Sequence, residues 1–294
     1  MLQNAPLLVL CSALLLGFYD VARKHAVKGN AVVDVLLISS IAGAIAFLVG
    51  SLATGSLAVA AAVPWNVRLF VLGKVVLVGT SWGVVFLALR RLPISLAGPI
   101  RATAPFWTLL GAMVLYGEVP TLCRAIGMLL MLAGFVAFAT LGGREGFPLK
   151  SKEMGFIVLG TLLGACSALY DKFLLNRMAI PSETVQFYFA TGLVLLYGAV
   201  WAVRRAIWSR EERSPFSWRW TIVATGVLLI ASDFLYFHAV GLPDAHISVI
   251  SLFRRCSTIV SFFVGGLLFH DLHLREKSLA LVLVLAGAVL VALG

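Results

Sequence analysis

Apolar runs of about twenty residues, separated by short polar breaks, fill almost the whole of this chain. A bilayer's hydrocarbon core is about 30 Å thick and takes about 20 residues of helix to span, so each run predicts one crossing. The expected spans are residues 6–27, 31–54, 65–89, 94–116, 120–141, 153–178, 182–207, 219–240, 245–268 and 275–293. The expected fold class is therefore all-α integral membrane with ten transmembrane helices. An even number of crossings puts both termini on one side.

Composition agrees with that pattern. Of 294 residues, 61% are apolar and 12% are charged, against about half and a quarter in soluble domains. A formal charge of +10 would point to nucleic acid in a soluble protein, but 15 of the 23 Lys and Arg lie in or beside the odd-numbered connections. The even-numbered connections and their borders carry Arg68, Arg124 and Arg177. This asymmetry is an orientation signal that puts the odd connections in the cytoplasm and both termini outside, and it implies no nucleic-acid partner. The N-terminus lacks the positive n-region of a cleaved signal, so the run from Pro6 is read as a retained helix. Cys11, Cys123, Cys166 and Cys256 sit in or beside apolar runs without a short Cys pair; small buried apolar side chains are expected, not a disulfide or a metal site. The polar stretch from Ser209 to Ser217 has mixed charge and no His or Cys, as a solvated loop would.

The sequence repeats internally. Arg101 recurs as Arg254, Gly117-Glu118 corresponds to His270-Asp271, and Ala133-Gly134 recurs as Ala286-Gly287, all at one offset of 153 residues. Tyr19-Asp20 recurs as Tyr170-Asp171 and Leu92-Pro93 as Leu242-Pro243 at nearly the same offset. Two domains follow, residues 1–145 and 150–294, each holding five helices. An odd number per half means that the second enters the membrane upside down, an inverted five-helix repeat. Many secondary transporters use such a repeat, with the substrate site near the midplane where the halves meet.

The ends of both halves, Leu115-Tyr116-Gly117-Glu118 followed by Gly127 to Gly134, and Leu268-Phe269-His270-Asp271 followed by Ala286-Gly287, resemble the duplicated EamA-type domain of the drug/metabolite transporter superfamily. The resemblance covers nearly the whole chain and implies a two-bundle fold, alternating access and a multi-pass protein of a bacterial inner membrane. Ten-helix members include amino-acid and metabolite exporters and plastid sugar-phosphate exchangers. Many are described with cytoplasmic termini, whereas the charge count here puts the termini outside.

Charges inside a membrane helix cost several kcal/mol and face a bundle interior or a water-filled cavity. Arg101, Arg254 and Arg255 are accordingly the substrate-binding candidates. A guanidinium stays protonated and offers a donor fork that fits carboxylate or phosphate oxygens, and Arg101 and Arg254 are repeat mates. The pair Arg254-Arg255 resembles the paired basic residues of the sugar-phosphate exchangers. Pro99 and Pro105 bracket Arg101, where missing amide donors kink a helix and free carbonyls. The competing reading is that these arginines pair with acids and lock helices together. Asp20 and Asp171 are gating candidates, although Asp20 lies one turn from Arg23 and Asp171 adjoins Lys172, spacings that allow plain ion pairs. Asp233, His238 and His246 are candidates for substrate-amine binding or proton coupling. Trp82 and Tyr236, with Tyr170, Tyr188 and Trp107, are candidates to line a cavity, with packing as the alternative. Gly79 with Gly83 and Gly160 with Gly164 form small-xxx-small patterns that permit close helix approach.

The expectation is a secondary transporter that exports or exchanges a small anionic or zwitterionic metabolite through an arginine-lined cavity. A flippase for an anionic lipid headgroup and an amino-acid exporter are the alternatives. No Walker loop, His-Glu-x-x-His or Gly-x-Ser-x-Gly motif occurs, so ATP hydrolysis and intramembrane catalysis are not expected, and no cofactor or metal is. The expected partners are the lipid bilayer and a small-molecule substrate, with the protein a monomer or homodimer.

Overall fold

A computed structural model describes residues 5–55, 57, 63–117, 119–174, 178–207, 215–240 and 256–293. Among them are eleven helices and no strand: α1 (Ala5–Val27), α2 (Val32–Thr54), α3 (Trp65–Leu89), α4 (Ile94–Ala102), α5 (Ala104–Tyr116), α6 (Leu122–Arg144), α7 (Lys152–Lys172), α8 (Ser182–Ile207), α9 (Trp220–Val240), α10 (Cys256–Leu268) and α11 (Leu274–Leu293). Six of these, α2, α3, α6, α7, α8 and α11, are long and apolar enough to cross a bilayer by themselves. The protein is a multi-pass membrane protein.

One expected span needs correction. Residues 94–116 form α4 and α5 rather than one helix, with a break at Thr103. Pro105 has no N–H for the Arg101 carbonyl, and the chain tightens instead: Thr103 N–H donates to Ile100 O at 3.2 Å and Phe106 N–H to Thr103 O at 3.0 Å. α7 is α-helical to Lys172 and goes on as a π-turn through residues 173–174, with 175–177 outside the described residues.

The principal helix pairings join the first half of the chain to the second. α6 packs on α11, α1 on α9, α3 on α7, α2 on α9 and α8, α1 on α10, α3 on α8, α4 on α10, and α5 on α7. Membrane helices gain little from the hydrophobic effect against one another, so close backbone approach and interhelical hydrogen bonds hold them. Both are present. A Cβ on Gly127 would lie 2.7 Å from Gly287 O, and one on Gly287 would lie 2.6 Å from Gly127 O, so the α6 and α11 backbones touch. Gly79 meets the Leu196 side chain and Gly160 meets Val85, whereas Gly83 faces open space, so the small-residue patterns are only half used. Between α1 and α9 the buried Ser12 and Ser232 exchange bonds, each hydroxyl donating to the other's carbonyl at 2.8 and 2.9 Å.

The outer surface is apolar. Val49 and Leu52 on α2, Leu195 on α8 and Leu279 and Val282 on α11 are exposed. Cys11, Cys123 and Cys166 are exposed as well, which corrects the expectation of buried thiols; lipid tails are as apolar a surrounding as a core.

The described parts of the five odd-numbered connections lie on one face. Asn30, fully buried between α1 and α2, accepts from Ser217 N–H at 3.0 Å and donates to Ser217 O at 2.8 Å in the segment before α9. Arg219 reaches the carbonyls of His25 and Lys28. Arg91, after α3, bonds Glu153 at the start of α7 at 3.2 Å. Lys277 of α11 is fully buried and lies 2.7 and 2.9 Å from the two carboxylate oxygens of Glu145, after α6. Only residues 215–217 of the Ser209–Ser217 stretch lie within the described residues.

Candidate functional site

The described residues line a half-open cavity of about 790 Å³ between α1, α2, α3, α8 and α9. Its wall runs along α2 from Ser39 to Ser51 and along α8 from Gln186 to Leu193, reaching within about one turn of the helix ends that lie away from the odd connections. The cavity thus extends toward the opposite face. Where α2 and α9 cross, Gly226 leaves no room for a Cβ, which would stand 2.2 Å from Ser39 O.

Two of the expected residues line this cavity: Trp82 on α3 and Asp233 on α9. Tyr19, Ser40, Gln186 and the aromatic rings Phe47, Phe86, Phe189 and Phe234 complete the part of the wall that can recognise a ligand. Trp82 meets Phe189 edge to face, ring centroids 5.9 Å apart. Ser40 Oγ is buried with no hydrogen-bond partner among the described residues.

Arg101 is not in this wall. Its guanidinium lies 3.3 Å from Asp20 Oδ1, and the same oxygen accepts from Arg23 at 2.5 Å. Arg23 also donates to the Tyr19 hydroxyl at 3.2 Å and stacks on the Tyr19 and Phe86 rings. The arginine therefore comes to the cavity at one remove, through Asp20, Arg23 and Tyr19. Two guanidiniums share one carboxylate, which leaves the cluster with one net positive charge. The Asp20–Arg23 pair is the local one that the spacing allowed, with Arg101 added by the fold.

Asp171 takes Lys74 of α3 at 2.5 Å. The adjoining Lys172 side chain lies outside the described residues. The Lys74 ammonium lies 5.2 Å from the ring centre of Phe189, so a second charged pair backs the cavity wall. The sequence missed Lys74, which has no repeat mate; its only signal was a charge inside an apolar run. Tyr170 donates to Phe70 O at 2.9 Å and stacks on Phe173, Tyr188 packs under Arg68, and Trp107 meets Phe106; none of the three is among the residues that line this cavity. Tyr236 is half-buried and not among the lining residues. Arg254, Arg255 and His246 lie outside the described residues, as do the Leu242-Pro243 corner and the His238 side chain.

A helix bundle with an apolar exterior and a half-open cavity bearing a carboxylate and hydroxyls suits a membrane transporter. Residues 3–140, just under half of the chain, match the EamA-like transporter family, so the first half of the chain is similar to that family. No curated protein matches the sequence. A solved structure described only as the crystal structure of a protein has the same fold, with a TM-score of 0.64 and 18% identity, over 97% of this chain and 95% of that one.

Proposed function

We propose that the chain is a secondary transporter for a small zwitterionic metabolite, working by alternating access in a bundle built from two inverted five-helix halves. The observation that carries the reading is the cavity: one carboxylate, Asp233, stands in an aromatic and hydroxyl-bearing wall, with a net-positive Tyr19–Arg23–Asp20–Arg101 cluster at its edge. A substrate with an amine and an acidic group meets an opposite charge at each end.

The packing supports the inverted repeat. Numbering the expected spans one to ten, with α4 and α5 as the fourth, exchange of the halves turns contact 1·8 into 3·6, 2·8 into 3·7 and 1·9 into 4·6, and leaves 2·7, 4·9 and 5·10 unchanged; all these contacts occur. Two groups follow, α1, α2, α9 and α10 against α3, α4, α5, α7 and α8, with the cavity between them. Rocking of one group on the other opens it to alternate faces.

Uptake into proteoliposomes, over a panel of amino acids, amines, carboxylates and organic phosphates, tests this. Asp233→Asn should lower zwitterion transport by about tenfold or more, the cost of one lost charge-assisted contact, and Arg101→Ala, which removes the net positive charge of the cluster behind the wall, should lower it as well, while each protein still inserts and elutes as a folded species. Arg254→Ala is expected to do the same. Wild-type rates in all three variants would sink the proposal, and a substrate lost only in Asp233→Asn would make it a plain amine.

A further inference from the structure

The corner between α3 and α4 has a gap in its hydrogen bonding. Pro93 has no N–H, so the Leu89 carbonyl four residues earlier lacks its helical donor. The Leu96 amide donates to Pro93 O at 3.2 Å, which leaves Leu92 O without a helical partner too. Leu89 and Leu92 are both buried, where an unpaired carbonyl is costly. One ammonium serves both: Lys24 Nζ donates to Leu89 O at 2.7 Å and to Leu92 O at 2.5 Å. Lys24 is only 4% exposed and comes from α1, in the other helix group. On the far side of the corner, the Ser95 N–H in the first turn of α4 donates to Asp271 Oδ2 at 2.9 Å, and Asp271 stands in the turn between α10 and α11. A cation thus faces the carbonyl end of α3 and an anion the amide end of α4, each matched to the helix dipole it meets.

We infer that Lys24 and Asp271 are the two jaws of a clamp on the Leu89–Ser95 corner, which holds the odd-connection face shut and must release in each transport cycle. The inference rests on the rocking reading above. Its physical content is that the corner can part from α1 only if water reaches Lys24 and both carbonyls together, because a buried lysine without partners is not tolerated. Closure is therefore all or none. The repeat limits the lysine to one face: the residue that follows Tyr170-Asp171 as Lys24 follows Tyr19-Asp20 is Leu175. Lys24 thus has no repeat mate in the sequence, and the state closed at the Lys24 face is the one that the clamp favours.

The test is a distance measurement between spin labels at Arg91 and Leu272, two exposed positions on either side of the clamp, with Cys11, Cys123, Cys166 and Cys256 replaced. The full-length protein in nanodiscs should give mainly the short distance. Lys24→Met should raise the long-distance fraction about tenfold, as loss of a charge-assisted contact implies. Pro93→Ala gives Leu89 O an internal donor and should act in the same direction; it serves if Lys24→Met fails to fold. Two populations whose proportions do not change in either variant would overturn the clamp and leave the rocking intact. One unchanged distance in wild type and variants, with and without the substrate panel, would overturn the rocking reading and the clamp with it.

Discussion

Lys277 illustrates how this protein handles a charge that lipid cannot solvate. It is fully buried, and Glu145 and the Ser95 hydroxyl at 2.8 Å satisfy its ammonium. Breaking such a pair strands the other charge, which costs about 3–5 kcal/mol. Lys277→Met should therefore lower the thermal unfolding temperature in detergent markedly, and adding Glu145→Leu should recover part of the loss. A single variant as stable as wild type would mean that water already reaches the pair. The residue-scale chemistry was only partly legible in the sequence. Asp20 with Arg23 was readable because a helical turn brings them together. Lys74 with Asp171, 97 residues apart, was not, because two halves of the chain had to meet first. Nor did the sequence tell that Arg101 would be spent on Asp20 rather than on the cavity wall.

At the scale of elements, glycine placement decides which helices touch. The Gly127 to Gly134 stretch and Gly287, the residues that carried the family resemblance, lie where α6 and α11 meet backbone to backbone. Gly127→Leu forces these helices apart and should cost at least the roughly 1–3 kcal/mol typical of overpacking, read as a lower unfolding temperature and poor yield. Gly83→Leu, in open space, should be tolerated. If both behave alike, the α6–α11 contact is not what holds these helices. The prolines were a legible signal of the same kind. Pro99 and Pro105 announced a disturbed helix near Arg101, and the break at Thr103 follows from the amide that Pro105 lacks. What the pattern could not give was that the disturbance divides the span in two, since an apolar run reads the same whether its helix is whole or broken.

For the whole molecule, the bonds between the odd-numbered connections gather them on one face, and from the excess of Lys and Arg there we propose that this face is the cytoplasmic one. With the native cysteines replaced, Arg91→Cys should react with a membrane-impermeant thiol reagent only from the cytoplasmic side and Val119→Cys, an exposed position between α5 and α6, only from outside. The opposite pattern would invert the protein, place the clamp at the outer face and leave its geometry unchanged.

The sequence by itself determined that this chain is a membrane helix bundle, where most of its described helices run, and that charges such as Arg101, Asp20, Asp171 and Asp233 stand within apolar runs. Those properties rest on local terms: twenty apolar residues suit a bilayer wherever they occur, and a charge among them is expensive whatever its partner. Tertiary structure alone decided which charge each would meet, that Trp82 and Asp233 face the cavity while Arg101 stands behind Tyr19, and that Lys24 would close a gap left by Pro93 on a distant helix. Such choices depend on contacts between residues tens to hundreds of positions apart, and no local pattern encodes them.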